Sequence, residues 1–167
     1  TSHFGVGVEA GDFNGDGNDD LIIQSSPNKV TIVFADTTTT YSQDQKEIPN
    51  SITITNNNDY TLTPVMVGDL NSDGCCDIFI GAPDSPSSGR SYIYWGSKSP
   101  VSFTISSTTV PNKTLWSRIT ATRNDTQKLG GYVGFVKGTA GSSNALLIGS
   151  LGQAFIIRID QPATVCL

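Results

Sequence analysis

The sequence has few charged residues, a single histidine and no long apolar run. Asp, Glu, Lys and Arg make up 15% of its 167 residues, and the ten Lys and Arg residues are scattered, which argues against a nucleic-acid-binding surface. No apolar run approaches the roughly eighteen residues of a membrane span. The one histidine, His3, lies at the start of the chain and gives no basis for a zinc site or a Ser-His-Asp triad. We therefore expect a protein that is not an enzyme and has no membrane span in this chain.

Turn-forming and small polar residues are frequent instead. The 17 glycines and 8 prolines occur among many Ser, Thr and Asn residues, a mixture typical of short strands joined by many turns. The length is that of one domain with a real hydrophobic core. The composition thus predicts a single all-β unit over residues 1–167.

A nine-residue acidic motif, D-x-N-x-D-G-x-x-D, occurs at residues 12–20 (the first loop) and again at residues 69–77 (the second loop). Oxygens at its first, third, fifth and ninth positions, folded back by the glycine at the sixth, can surround one hard cation, and calcium prefers such oxygen ligands. The ligands predicted for one ion are Asp12, Asn14, Asp16, Asp20 and the backbone carbonyl of Asn18. Those predicted for the other are Asp69, Asn71, Asp73, Asp77 and the backbone carbonyl of Cys75. The sequence therefore predicts two Ca2+ sites.

The net charge of -5 agrees with this interpretation. Seven of the fifteen acidic residues lie in the two loops, and two bound Ca2+ ions would bring the net charge to about -1. The acidity is therefore ligand charge rather than a surface for a basic partner.

The residues around the loops exclude an EF-hand. Its twelfth position requires a bidentate Glu, but Ile23 and Ile80 stand there. Each ninth-position Asp is followed by a short apolar run and then by turn residues, as in a buried strand. Each loop is therefore expected to connect two strands.

Motif and flanks together resemble the FG-GAP repeats of the integrin alpha-subunit β-propeller. In that family a repeat runs Phe-Gly, strand, Gly-Asp, calcium loop, apolar strand, Gly-Ala-Pro, strand. The matching stretches are Phe4-Gly5, Gly11-Asp12 and residues 20–23 in the first repeat, and Gly68-Asp69 and Gly81-Ala82-Pro83 in the second. The departures are residues 24–27 in place of Gly-Ala-Pro, and Thr61-Leu62 in place of Phe-Gly. The resemblance implies structural calcium sites and an extracellular, integrin-like module.

A third copy of the repeat is visible at Leu129-Gly130 and residues 146–149. Its four ligand positions hold Lys137, Thr139, Gly141 and Ala145 at unchanged spacing. Because these residues supply no carboxylate, we expect no calcium in this third loop.

The resemblance, combined with the strand pattern, implies three propeller-type blades, the third of them incomplete, from repeats at about residues 1–57, 58–124 and 125–167. Residues 6–11, 20–24, 30–35 and 51–55 would form the first blade. Strands around Met66 and at residues 77–80, 91–95 and 101–105 would form the second, and residues 132–136, 145–148 and 154–159 the third. A propeller ring needs roughly four to eight blades, and the integrin-like ring has seven. We therefore expect an open or partial propeller.

If the 167 residues are the whole chain, an edge such as residues 154–159 would be covered by strand addition from another copy. We then expect self-assembly into a homo-oligomer or filament.

The three cysteines leave the disulfide pairing open. Cys166 can pair with either Cys75 or Cys76, which are adjacent in the second loop, and the remaining thiol can join another chain. The same three residues can also stay unpaired, or the two neighbours can form a bridge with each other.

Two glycosylation sequons, at Asn112 and Asn124, lie in one polar stretch and favour the secretory route. Extracellular fluid also holds enough calcium to fill weak loops of this kind. Nearby Trp116 is a candidate for a contact surface, whereas the stripe at residues 92–95 is expected to pack in the core.

Two functions remain in competition. In the first, the chain is a calcium-stabilised structural subunit of an extracellular fibre or coat, with itself as partner. In the second, it is a ligand-binding propeller fragment of a cell-adhesion receptor, with an extracellular protein as partner.

Overall fold

The computed structural model describes residues 5, 7–36, 48–57, 62, 65–85, 89–105, 116–120, 128–138, 143–150, 153–159 and 166. Within these residues the chain forms twelve strands and no helix, which confirms the all-β prediction. The strands are β1 (Val8–Gly11), β2 (Asp20–Ser26), β3 (Lys29–Val33), β4 (Ser51–Asn56), β5 (Val65–Gly68), β6 (Asp77–Ala82), β7 (Arg90–Tyr94), β8 (Phe103–Ile105), β9 (Trp116–Thr120), β10 (Tyr132–Val136), β11 (Asn144–Ser150) and β12 (Gln153–Ile159).

The strands form three separate sheets, none of them closed into a barrel. The first sheet has the order β1-β2-β3-β4-β8, the second β5-β6-β7-β9, and the third β10-β11-β12. Neighbours pair antiparallel, except that β4 and β8 are parallel. Strand β5 contacts both β1 and β10, so the starting strands of the three sheets lie side by side.

Apolar residues on both sides of the middle sheet explain how the three sheets stack. All six residues of β6 are buried, because one side of the second sheet faces the first sheet and the other side faces the third. The buried side chains of the first cluster are Phe13, Ile22, Val30, Ile32, Phe34, Ile54, Leu62, Ile78, Ile80, Ala82, Tyr92, Tyr94 and Ile105. Those of the second are Leu70, Phe79, Ile93, Leu129, Leu146 and Ile148.

The strand predicted at residues 101–105 does not belong to the second sheet. Strand β8 extends the first sheet instead, because Phe103 and the buried Ile105 pack in the first cluster and the Phe103 ring lies 4.8 Å from that of Tyr94. The fourth place in the second sheet is taken by β9, in which Trp116 pairs with Tyr94. The third sheet contains its three predicted strands.

The central position of the second sheet gives a prediction about stability. Phe79 has no exposed surface, so Phe79→Ala should lower the free energy of unfolding by about 3–5 kcal/mol through lost burial and a cavity. Phe155, on the third sheet, is 38% exposed, and Phe155→Ala is the matched control with a smaller loss. Denaturant unfolding monitored by circular dichroism measures both. Equal losses would contradict the central role of the second sheet.

Candidate metal centre

The first loop folds its acidic side chains back onto its own backbone amides. The N–H of Asp16 donates to Oδ1 of Asp12 (3.0 Å) and to Oδ1 of Asn14 (3.1 Å). The N–H of Gly17 donates to the other oxygen of Asp12 (2.9 Å), and the N–H of Asn18 donates to Oδ1 of Asp16 (2.8 Å). The oxygens at the first and third positions are thus held side by side by a single N–H group.

The second loop repeats this arrangement residue for residue. The N–H of Asp73 donates to Oδ1 of Asp69 (3.1 Å) and to Oδ1 of Asn71 (3.2 Å), and the N–H of Cys75 donates to Oδ1 of Asp73 (2.9 Å). The sixth-position glycines Gly17 and Gly74 have φ angles of 89° and 95°, a conformation that strongly favours glycine. The repeated motif therefore encodes one repeated loop conformation.

The ninth-position carboxylates, Asp20 and Asp77, are fully buried and act as structural anchors. Asp20 accepts hydrogen bonds from the N–H groups of Phe13 and Ala35, both at 2.9 Å. Asp77 accepts equivalent bonds from Leu70 (2.8 Å) and Gly96 (2.9 Å). Each carboxylate thereby ties its own loop to the segment that follows the third strand of its sheet.

Burial raises the pKa of both anchors. Desolvation is the main cause and raises the pKa of Asp77 to about 8, with the nearby carboxylates of Asp73 and Asp69 adding to it and the two backbone hydrogen bonds opposing it. The pKa of Asp20 is also raised, mainly by desolvation. The pKa of exposed Asp16 is lowered, first by its hydrogen bond from Asn14. A buried carboxylate beside like charges is a place where a cation would be stabilised.

The two loops lie in contact with each other. The N–H of Cys76 donates to the backbone carbonyl of Asp12 (2.7 Å), which joins the second loop to the first. Cys75 forms a disulfide with Cys166 (Cα–Cα 5.6 Å), and a methyl group added to Gly15 would lie 2.8 Å from the Cys75 sulfur. The disulfide therefore packs against the first loop while it closes the second, and Cys76 keeps a free thiol.

The third loop is joined to the second by Asn144, a residue that the sequence motifs did not indicate. Its amide oxygen accepts the N–H of Gly138 (2.9 Å), while its amide nitrogen lies within hydrogen-bonding distance of the carbonyls of Asp69 (3.0 Å) and Leu70 (3.1 Å). The same nitrogen lies 2.9 Å from Oγ of Ser72. A polar residue at the start of the apolar run 145–148 was the available signal. Asn144 therefore lies against the second loop, which itself contacts the first.

Of the four predicted third-loop positions, Lys137 and Ala145 are described, whereas Thr139 and Gly141 lie outside the described residues. Val136 pairs with Ala145 as Gly68 pairs with Asp77, so the spacing of this loop matches the others. The absence of calcium from it stays a prediction. The sequons at Asn112 and Asn124 also lie outside the described residues.

The donor set of the first two loops fits a hard cation. Each loop offers three carboxylates, an asparagine oxygen and a backbone carbonyl, all of them oxygen ligands. Three ligand atoms from Asp, Glu, Cys or His side chains can share one metal ion only if they lie close together. Among the described residues, the side chains of Asp73, Cys75 and Cys166 form the one such group within 4.8 Å. Its two sulfurs are joined in the disulfide, so it offers no thiolate pair. The carboxylates of each loop would have to draw closer together around an ion.

Residues 12–80 match the family model of the FG-GAP-like repeat. The match contains both acidic loops and the strands between them, and it confirms the resemblance over this part of the chain. No curated protein matches the sequence. No helix among the described residues is long and apolar enough to cross a membrane.

The raised pKa of Asp77 predicts how stability depends on pH when calcium is chelated. The folded chain binds the Asp77 proton more tightly than the unfolded chain, whose carboxyl titrates near the usual value of about 4. The contribution of Asp77 to the free energy of unfolding should therefore be largest below pH 4 and should be lost as the pH rises towards 8. Asp20 contributes with the same sign.

Urea unfolding in chelator between pH 4 and 9 measures this slope. The Asp77→Asn variant, which cannot ionise at this position, should be less stable but should show a shallower slope. An unchanged slope in the variant would contradict the assignment to Asp77.

The disulfide gives a prediction with an internal control. Cys166→Ser should lower the free energy of unfolding by about 2–5 kcal/mol, because the bridge links residues 91 positions apart. Cys76→Ser should keep the bridge and most of the stability. Peptide mapping under non-reducing conditions should recover the Cys75–Cys166 pair. Recovery of a bridge to Cys76 would contradict this pairing.

Proposed function

From its FG-GAP-like repeat sequence and its two equivalent acidic loops, we propose that this chain is an extracellular, calcium-stabilised structural module that associates with itself. The observation that carries the proposal is the pair of loops with the same hydrogen bonds, lying in contact and each anchored by a buried carboxylate. Its role is assembly rather than catalysis.

Calcium would be held by the same oxygens in both loops. Asp12, Asn14, Asp16, Asp20 and the Asn18 carbonyl would hold one ion. Asp69, Asn71, Asp73, Asp77 and the Cys75 carbonyl would hold the other. When bound, the ion supplies positive charge that offsets the repulsion among clustered carboxylates and the desolvation of the buried one. The protein contributes the loop conformation that its backbone hydrogen bonds already define.

The position of the loops connects ion binding to the stacking of the sheets. The backbone carbonyl of Asp12 in the first loop accepts a hydrogen bond from the N–H of Cys76 in the second loop. The backbone carbonyl of Asp69 in the second loop accepts a hydrogen bond from the side-chain amide of Asn144 in the third sheet. A cation that stiffens a loop would therefore stiffen the joint between two sheets. This supports a mechanical rather than a catalytic role for calcium.

Three features support an extracellular setting and self-association. A disulfide is typical of proteins in oxidising compartments, and the two sequons are compatible with secretion. The outer sheets also expose large apolar side chains, among them Val8, Leu21, Tyr132 and Ile156. Exposed apolar surface of this kind marks interaction sites.

The calcium proposal predicts a conditional effect of loop mutations. Asp16→Ala and Asp73→Ala should lower the melting temperature by several degrees more in millimolar calcium than in chelator, because calcium binding is lost in addition to the hydrogen bonds from Asn18 and Cys75. Glu9→Ala, which removes an exposed acidic side chain outside the loops, should have little effect in either condition. Differential scanning calorimetry in both buffers provides the measurement. Equal losses with and without calcium would show that the loops are not metal sites.

Self-association is tested by the native mass in light scattering. Assemblies larger than the 17.7 kDa chain that grow with calcium would support the structural module. A monomer under both conditions would contradict self-association and would favour the receptor fragment, whose partner is a different extracellular protein.

A further inference from the structure

The first sheet packs on the second and the second on the third, and we call each of these two contacts a joint. Equivalent residues form both joints, so the stack of sheets has a direction. Ile22 and Phe79 each lie two residues after the ninth-position aspartate, are 0% exposed, and face the next sheet in the chain. Their cross-strand partners, Ile32 and Ile93, are buried on the same side. We name this side of each sheet its leading face.

The opposite side of each sheet, its trailing face, carries the residues one and three positions after the ninth. These are Ile78 and Ile80 in the second sheet and Leu146 and Ile148 in the third, all 0% exposed against the preceding sheet. Each joint thus packs the leading face of one sheet on the trailing face of the next.

The third sheet has the same apolar residues on its leading face, but they are exposed. Leu147, which is equivalent to Ile22 and Phe79, is 40% exposed. Its cross-strand partner Ile156, which is equivalent to Ile32 and Ile93, is 71% exposed. Tyr132 and Val136 extend this surface and are 74% and 59% exposed. The positions that form a joint elsewhere are thus present here without a described sheet against them.

The first sheet has the complementary surface on its trailing face. Leu21, which is equivalent to Ile78 and Leu146, is 47% exposed, and Val8 beside it on β1 is 55% exposed. Within the described residues, the two outer faces of the stack therefore carry different exposed apolar patches, which correspond to the two sides of the internal joints.

The residues where the starting strands meet indicate which sheet fits the open leading face. In the first joint Gly11 meets Val67, because a methyl group on Gly11 would lie 2.6 Å from Cγ1 of Val67. In the second joint Gly68 meets Phe135 in the same way, at 3.0 Å. Each internal joint thus combines a glycine with a large side chain.

The open faces have the opposite combination. Val136 occupies the position of the two glycines in the third sheet, since it pairs with Ala145 as Gly68 pairs with Asp77. Ala10 occupies the position of Val67 in the first sheet, since it pairs with Leu21 as Val67 pairs with Ile78. A large residue on one open face therefore matches a small residue on the other.

We propose that the leading face of the third sheet binds the trailing face of the first sheet in a second copy of this chain. The inference rests on the self-association in the proposed function and names its surfaces: Leu147, Ile156 and Val136 of one copy against Leu21, Val8 and Ala10 of the next. Such a contact is heterologous, so it propagates from copy to copy or closes into a ring.

Two charge substitutions on exposed positions test the faces separately. Ile156→Lys blocks the leading face and Leu21→Lys blocks the trailing face, so each variant alone should be monomeric in light scattering. Mixed in equal amounts, they should form a complex of twice the 17.7 kDa chain mass, because each supplies the face that the other lacks. Val101→Lys is the matched control, since Val101 is 47% exposed like Leu21 but lies outside both faces, and it should assemble like the parent chain.

The outcomes separate this inference from the proposal on which it depends. A monomeric parent chain would contradict both. An assembling parent whose two variants also assemble would contradict only the choice of faces. Assembly by Leu21→Lys alone would indicate a symmetric contact and would likewise overturn the head-to-tail arrangement. If circular dichroism shows that either variant is unfolded, Tyr132→Lys and Val8→Lys provide a second pair with the same expectations.

Discussion

The buried carboxylate at the ninth position of each acidic loop is the interaction on which the rest of the structure depends. Asp20 and Asp77 have no exposed surface, yet each accepts two backbone hydrogen bonds from segments that are far apart in the chain. One side chain thereby defines where the loop ends, where the central strand begins and how the third strand of the sheet turns away. A charge buried in this way needs compensation, which connects the fold directly to the binding of a proton or a cation.

Because the anchors are equivalent in the two sheets, the loops fall beside each other along one edge. Their contact is then made by main-chain groups, such as the N–H of Cys76 and the carbonyl of Asp12, rather than by the acidic side chains. The acidic oxygens are left with local amide partners, which a cation can join without breaking the contact between the loops. The disulfide from Cys75 to Cys166 strengthens the same edge by closing a long segment of chain against it.

Most strands and both loops could be predicted from the sequence because their signals are local. The glycine at Gly17 and the carboxylates around it specify one loop conformation, and the apolar run that follows specifies a buried strand. The partner of β8 could not be predicted, because it depends on a distant pocket beside Tyr94 that Phe103 fills. The role of Asn144 depends likewise on carbonyls some 75 residues away in the second loop, and no local pattern distinguishes Cys75 from Cys76 as the partner of Cys166.

The direction of the stack follows from the alternation of side chains along each strand. In β6 both sides are apolar and both are covered, so every residue of the strand is buried. Strands β2 and β11 also carry apolar residues on both sides, but among the described residues each has a neighbouring sheet on one side only, and Leu21 and Leu147 are exposed. A surface strand of an isolated sheet would instead alternate apolar and polar residues. The central strands of the outer sheets therefore resemble β6, whereas β4 alternates apolar and polar residues as a surface strand does. Burying the exposed apolar side chains of the outer faces would remove apolar surface from water in the same way as the two existing joints.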